Sequence, residues 1–206
     1  MGEITAILPQ KKDKTRCNIY LNGQFYCGMK LEVVLQNRLK SGQDVDASYL
    51  DELQFESEKL VALDKAMTHL SSSMKTKKQI SDFLKRKGYV DSVIDYVLQK
   101  LQGYGFVDDA EYARQYVRSA GKSKGRRLIA VELQKKGLSS DEAKTAVENM
   151  QGEDESALKI LQKYMRGKQA DRETLYKAFR YLIGKGFEYD TAKSALTAFG
   201  KIDEDS

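Results

Sequence analysis

Leu84-Lys85-Arg86-Lys87-Gly88-Tyr89, Leu133-Gln134-Lys135-Lys136-Gly137-Leu138 and Leu182-Ile183-Gly184-Lys185-Gly186-Phe187 are three variants of one phrase, a leucine followed by a turn of helix, a lysine, a glycine and an apolar residue. Their glycines stand 49 residues apart, twice, with no gap. Other columns agree in the same register. Six residues after each glycine stand Ile94, Ala143 and Ala192; ten after, Leu98, Val147 and Leu196; thirteen after, Leu101, Met150 and Phe199. Twenty-five before stand Leu63, Tyr112 and Leu161, and twelve before stand Thr76, Gly125 and Thr174, types favoured at a helix N-cap. Thr76-x-x-Gln79 and Ser139-x-x-Glu142 also have the spacing of capping boxes. From residue 56 onward the apolar residues follow a 3.6-residue period broken by glycine and capping signals, with no strand pattern.

Each unit therefore parses into three helices. The first are expected near 56–71, 109–120 and 154–167, the second at 77–87, 126–136 and 174–185, the third at 91–102, 140–151 and 189–199. Gly88, Gly137 and Gly186 fall just past the second helices, where a left-handed backbone ends the helix and a Cβ is disfavoured. A unit this small buries little by itself, so the expected architecture is mainly α, with the units stacked in an elongated array. The expected organisation is 1–55, 56–108, 109–152 and 153–200, with an acidic tail at 201–206.

The first thirty residues read differently. Residues 15–21 and 24–27 flank Asn22-Gly23, a strong two-residue hairpin signal, and Ile4, Ala6 and Leu8 supply a third strand ended by Pro9. Short helices are expected from Leu31 to Leu39 and from about Asp46 to Leu53. With a two-residue turn, Cys17 pairs with position 28 and Cys27 with position 18, which puts the two sulfurs on opposite faces and argues against a disulfide.

The 206 residues are 41% hydrophobic and 32% charged, the balance of a folded, helix-rich chain. No run reaches the ~18–20 apolar residues of a membrane span, and the N-terminus lacks the features of a secretion signal, so the cytoplasm is the expected location. The net charge of +5 is concentrated: residues 72–136 carry 15 basic and 7 acidic groups, whereas the segments on either side are slightly acidic. A solvated helix face explains such a stretch about as well as a polyanionic partner does.

Little in the chain supports catalysis. His69 is the single histidine, without a nucleophile-elbow pattern, and reads as structural. Two cysteines and one distant histidine do not make a zinc site, so no metal or cofactor is expected. Gly103-Tyr104-Gly105 lacks the Lys-Ser/Thr ending of a phosphate loop and reads as a helix terminator. Asp108-Asp109 precedes an amphipathic run and reads as an N-cap with dipole compensation rather than a metal pair.

The candidate contact surface is instead cationic. Between 114 and 136 the chain holds Arg114, Arg118, Lys122, Lys124, Arg126, Arg127, Lys135 and Lys136 against Glu132 alone. Arg126-Arg127 opens a helix against its dipole, which points to an anion at that N-terminus, a phosphate or a carboxylate. Lys122, Lys124, Arg126, Arg127, Lys135 and Lys136 form the first tier of expected contacts, and Lys77, Lys78, Lys85 and Arg86 the second.

Gly105-Phe106-Val107-Asp108-Asp109, then Tyr112-Ala113 and Tyr116-Val117, resembles the signature of the RecX family. Leu133-x-x-Lys136-Gly137 is similar to that family's helix-ending pattern, residues 56–200 resemble its three tandem three-helix units, and the N-terminal hairpin resembles the longer Gram-positive members. The resemblance implies a non-catalytic regulator of recombination and repair that binds RecA and RecA filaments on single-stranded DNA. It implies inhibition of ATPase, strand exchange and coprotease activity from within the filament groove, with at most weak direct DNA contact. It supplies no catalytic residues. Two other readings stay open: a general nucleic-acid-binding repeat protein, whose affinity for bare DNA falls steeply with salt, and a repeat scaffold that grips a protein partner without salt sensitivity.

Overall fold

The computed structural model describes residues 1–204, with side chains through residue 200. The acidic tail expected at 201–206 lies outside the described side chains, and Asp205 and Ser206 outside the described residues altogether. The chain divides into two compact units, one of residues 1–74 and 80–106, the other of 75–79 and 107–206.

The first unit opens with a four-stranded antiparallel sheet of β1 (Gly2–Pro9), β2 (Arg16–Leu21), β3 (Gln24–Lys30) and β4 (Gln43–Val45), in the order β3-β2-β1-β4. The Asn22-Gly23 turn forms as expected, with φ of 51° and 83° at its two residues. The register does not. Tyr20 faces Phe25 but Ile19 faces Cys27, so Tyr26 is a bulged extra residue. That insertion moves every later pair by one, and Cys17 now faces Met29. Both cysteines therefore point into the same core, free and buried, rather than to opposite faces. Burial pushes the Cys17 thiol up and the Cys27 thiol up to about 11. β4 is a strand the sequence does not announce, only three residues long and recruited by pairing with β1.

One face of the sheet packs on α1 (Leu31–Gln36) and the start of α2, in a core that includes Ile4, Ile19, Met29, Val33, Leu50 and Leu53. The two helices expected at 46–53 and 56–71 are one, α2 (Ala47–Leu70). No glycine or proline interrupts Asp51 to His69, so the chain has no means to stop helix there. α2 packs along α4 (Asp91–Gly103), which buries Val93, Ile94, Val97 and Leu101. Between them in the chain lies α3 (Lys77–Arg86). The lone histidine has a structural place, its ring stacked on Phe83 at 4.1 Å.

In the second unit α5 (Asp109–Ala120), α6 (Arg126–Lys135) and α7 (Ser140–Glu148) close around Ala113, Ile129, Leu133, Leu138, Ala143 and Val147. The helices α8 (Glu153–Met165), α9 (Arg172–Gly184) and α10 (Tyr189–Glu204) close around a second core centred on Leu161, Ala178, Leu182 and Phe187. The repeat columns are core columns: Leu84, Leu133 and Leu182 are all fully buried.

Each second helix ends the same way. Gly88, Gly137 and Gly186 have φ of 87°, 108° and 90°, and the residue after each glycine donates back to Leu84, Leu133 or Leu182 at 3.2 Å. The paired bond from the glycine N–H completes a Schellman motif in every case. Both expected capping boxes form: Thr76 and Gln79 exchange bonds of 3.0 and 3.2 Å, and Ser139 and Glu142 of 2.8 and 3.2 Å. Thr174 is not a cap, because Asp171, three residues earlier, accepts its N–H at 2.7 Å and starts α9 a turn sooner. The backbone N–H of Thr174 holds the Asp171 carboxyl below its ordinary range.

Candidate partner-binding surface

Within the second unit, the helix N-terminus expected to await an external anion already has one. Glu153, the first residue of α8, is buried, accepts the Arg126 N–H at 2.9 Å and pairs with the Arg126 guanidinium at 2.6 Å. The carboxylate thus caps α6 and neutralises Arg126 in a single contact, and its hydrogen bond raises the Arg126 pKa further. Arg127 remains exposed, but its guanidinium donates to the Ile183 carbonyl at 2.8 Å. The anion at the start of α6 is thus an internal carboxylate.

The same device recurs at the start of α3. Asp108 is the N-cap of α5, accepting from Ala110 and Glu111 at 2.8 and 3.0 Å, and these backbone donors hold its carboxyl below the ordinary range. Asp109 instead accepts the Lys77 N–H at 2.9 Å. The expected capping role therefore splits: Asp108 caps its own helix and Asp109 caps another. The C-terminal glycines take part in both places. Thr76 Oγ donates to the Lys136 carbonyl at 2.5 Å, and a Cβ on Gly137 would sit 2.2 Å from the Lys78 Cβ. Equivalently, Gly125 donates to the Lys185 carbonyl at 3.0 Å and Arg127 to the Gly186 carbonyl at 3.2 Å. A Cβ on Gly186 would sit 2.3 Å from that of Leu128.

The remaining cations separate into engaged and open. Lys124 pairs with Glu132 at 2.6 Å, and Glu132 also accepts from the Tyr116 hydroxyl at 2.6 Å. Burial opposes ionisation of Glu132, but the Lys124 and Tyr116 bonds outweigh it and its pKa is lowered. Tyr116 is pushed up to about 12 by burial and by that carboxylate. Lys136 lies over the Tyr112 and Tyr116 rings, 5.9 and 5.1 Å from their centroids, so Tyr112 serves as a cation–π seat. Lys85 pairs with Asp91 at 3.0 Å on the surface. Lys77 is half-buried at the Asp109 contact, and Lys78 is exposed beside Gly137 with contacts of its own. Lys122, Lys135 and Arg86 are exposed and enter none of these pairs. Of the first-tier cations, Lys124, Arg126 and Lys136 are spent mainly on the fold.

Sequence reasoning missed a cleft that only tertiary packing creates. Between α5 and α7, Ala110, Ala113, Leu138 and Ala146 floor a space of about 570 Å³ rimmed by Asp109, Asp141, Glu142 and Arg114. A neighbouring space of about 590 Å³ shares Arg114, Ala146 and Asn149 and ends at Arg118 and Lys122. Among the described residues no group of three His, Cys, Asp or Glu side chains is placed to hold a metal ion, and no helix is long and apolar enough to cross a membrane.

A small sheet module followed by three-helix units defines a helical-repeat protein, with clefts and cations at its surface. Comparison with known proteins makes this specific. Residues 2–46 match the regulatory protein RecX N-terminal domain, and residues 62–101, 108–147 and 152–196 match the first, second and third RecX three-helix domains. The chain is 32% identical over 202 residues to regulatory protein RecX of Bacillus licheniformis, covering 95% of this chain and 77% of that one. It is 30% identical to the Clostridium perfringens (strain SM101) protein of the same name, covering 95% of both. A crystal structure of regulatory protein RecX superimposes with a TM-score of 0.72 at 28% identity, covering 94% of this chain and 98% of that one. RecX from Lactobacillus salivarius shares the fold, with a TM-score of 0.63 at 24% identity over 68% of this chain and 96% of that one. The chain belongs to the RecX family of regulatory proteins.

Proposed function

We propose that this chain regulates RecA by binding RecA assembled on single-stranded DNA and suppressing its ATPase, strand-exchange and coprotease activities. Membership of the RecX family over nearly the whole chain is the observation that carries this reading. The open cations Lys122 and Lys135 are the proposed contacts to acidic protein surface or exposed phosphate, with Arg127 and Arg86 secondary. Tandem units let several weak contacts act together on a repeating assembly.

General nucleic-acid binding by the helical units is less favoured. Lys124, Arg126 and Lys136 are engaged inside the fold, which lowers the number of phosphates the basic segment can neutralise. The α5–α7 cleft, apolar-floored with charged ends, is suited to a protein side chain rather than to a phosphate backbone.

Co-sedimentation with RecA filaments on single-stranded DNA tests the surface. Lys122→Glu with Lys135→Glu should weaken capture roughly tenfold, about 1.4 kcal/mol, the size expected for reversing two exposed charges. Helical circular dichroism should be unchanged. Undiminished capture by the double variant removes this surface from the reading.

A further inference from the structure

Within the first unit α1 and α2 pack on one face of the N-terminal sheet. Cys27 and Met29 point into the core, so Gly28 between them faces outward, as do Asn18 and Tyr20 on β2. Ala6 faces Tyr20 and Leu8 faces Asn18 across β1, while Phe25 faces Tyr20 across β3. The rings of Tyr20 and Phe25 meet edge to face with centroids 6.0 Å apart, and Phe25 is 59% exposed.

Beside the rings the face becomes polar. A Cβ on Gly28 would come within 2.9 Å of Gln10 Nε2, 3.6 Å of Asn18 Oδ1 and 3.7 Å of an Arg16 guanidinium nitrogen, so these three groups gather over the glycine. Gln10 donates to Asn18 at 2.8 Å, and Arg16 to the Gly28 carbonyl at 3.3 Å. Past them the β1–β2 loop carries exposed Lys11, Lys12 and Lys14. The loop's one acid, Asp13, is turned to its own backbone, accepting from Thr15 N and Oγ at 2.9 and 2.7 Å. The acidic groups Glu3 and Asp44 face each other across β1 and β4 at the other end of the strands from this loop, where Glu3 exchanges backbone-anchored hydrogen bonds of 2.9 Å with Asn22 of the β2–β3 turn.

We propose that this open sheet face binds single-stranded nucleic acid. Bases stack on Tyr20 and Phe25, Gln10 and Asn18 offer amide groups to base edges, and the lysines of the β1–β2 loop, with Arg16 at the start of β2, take the phosphates. From Arg16 to Tyr20 is about 13 Å of strand, at ~3.3 Å per residue, which suits a run of a few nucleotides. A duplex hides its base faces from a flat platform, and aspartate and glutamate side chains have no aromatic face to lay against the rings; the pairing of rings with cations favours unpaired bases. The inference does not depend on what the helical units bind.

Fluorescence anisotropy of a labelled deoxythymidine oligomer of about 15 nucleotides, titrated with the full chain without RecA, tests the site. Tyr20→Ala with Phe25→Ala should weaken binding about tenfold, whereas Tyr20→Phe with Phe25→Tyr should retain it. Lys11→Glu with Lys12→Glu should weaken binding and flatten its salt dependence. Ultraviolet cross-linking followed by peptide mapping should place the oligomer on residues 16–30. Unchanged affinity in the ring-deleted protein, cross-links confined to residues 107–200, or equal competition by polyglutamate overturns the proposal.

Discussion

Gly125→Ala should destabilise the chain by about 3 kcal/mol, the upper end of what forced overpacking costs. The glycine is the N-cap of α6, with ordinary extended angles, so the penalty is not one of backbone preference. A Cβ there would lie 2.3 Å from both the Gly186 carbonyl oxygen and the Phe187 nitrogen. Both are backbone atoms of the turn that ends α9, and neither can rotate away. Relief requires α6 and α9 to separate, which breaks the bonds from Gly125 to Lys185 and from Arg127 to Gly186. Gly88→Ala is the contrast: its Cβ would meet nothing within 4 Å, leaving only the cost of a φ of 87°, ~1 kcal/mol. Urea denaturation of the two variants measures the difference. Equal midpoints would show that the contact between the ends of α6 and α9 does not hold in solution.

Glu153→Ala should cost about 2–3 kcal/mol. Removing the carboxylate takes away an N-cap, worth ~1 kcal/mol, and leaves the Arg126 guanidinium without its counter-charge. Breaking a fully buried pair costs ~3–5 kcal/mol, but the Arg126 side chain is 34% exposed and water recovers part of that. Arg126→Ala should cost less, because it leaves Glu153 its backbone donor at Arg126 N. A double-mutant cycle should return a coupling of ~1–2 kcal/mol. Additive losses would place the two groups in separate roles and show that Glu153 is not the counter-charge of Arg126 at the start of α6.

The fold was legible where a residue type has one physical use. Three glycines at a fixed spacing after leucine marked the helix ends because only glycine takes the left-handed position cheaply. What the chain does not announce is where partners far apart in sequence meet. Asp109 and Glu153 do the same work at the starts of α3 and α6, yet they stand 32 and 27 residues after the groups they cap, Lys77 and Arg126. The first helix of each unit slides against the repeat, so no column of the alignment holds both acids. The Tyr26 bulge was equally silent, and one inserted residue was enough to turn both cysteines to the same side. The contact surface was legible only as a total of charge. Which cations stay available depends on Glu132, Glu153 and the Tyr112–Tyr116 pair, and these are facts of packing.

Steady-state ATP hydrolysis by RecA on single-stranded DNA, with this chain added well below the RecA concentration, addresses the central claim directly. The account predicts inhibition at sub-stoichiometric ratios, weakened by Lys122→Glu with Lys135→Glu. RecA hydrolysing ATP at its full rate at every ratio up to equimolar would contradict it.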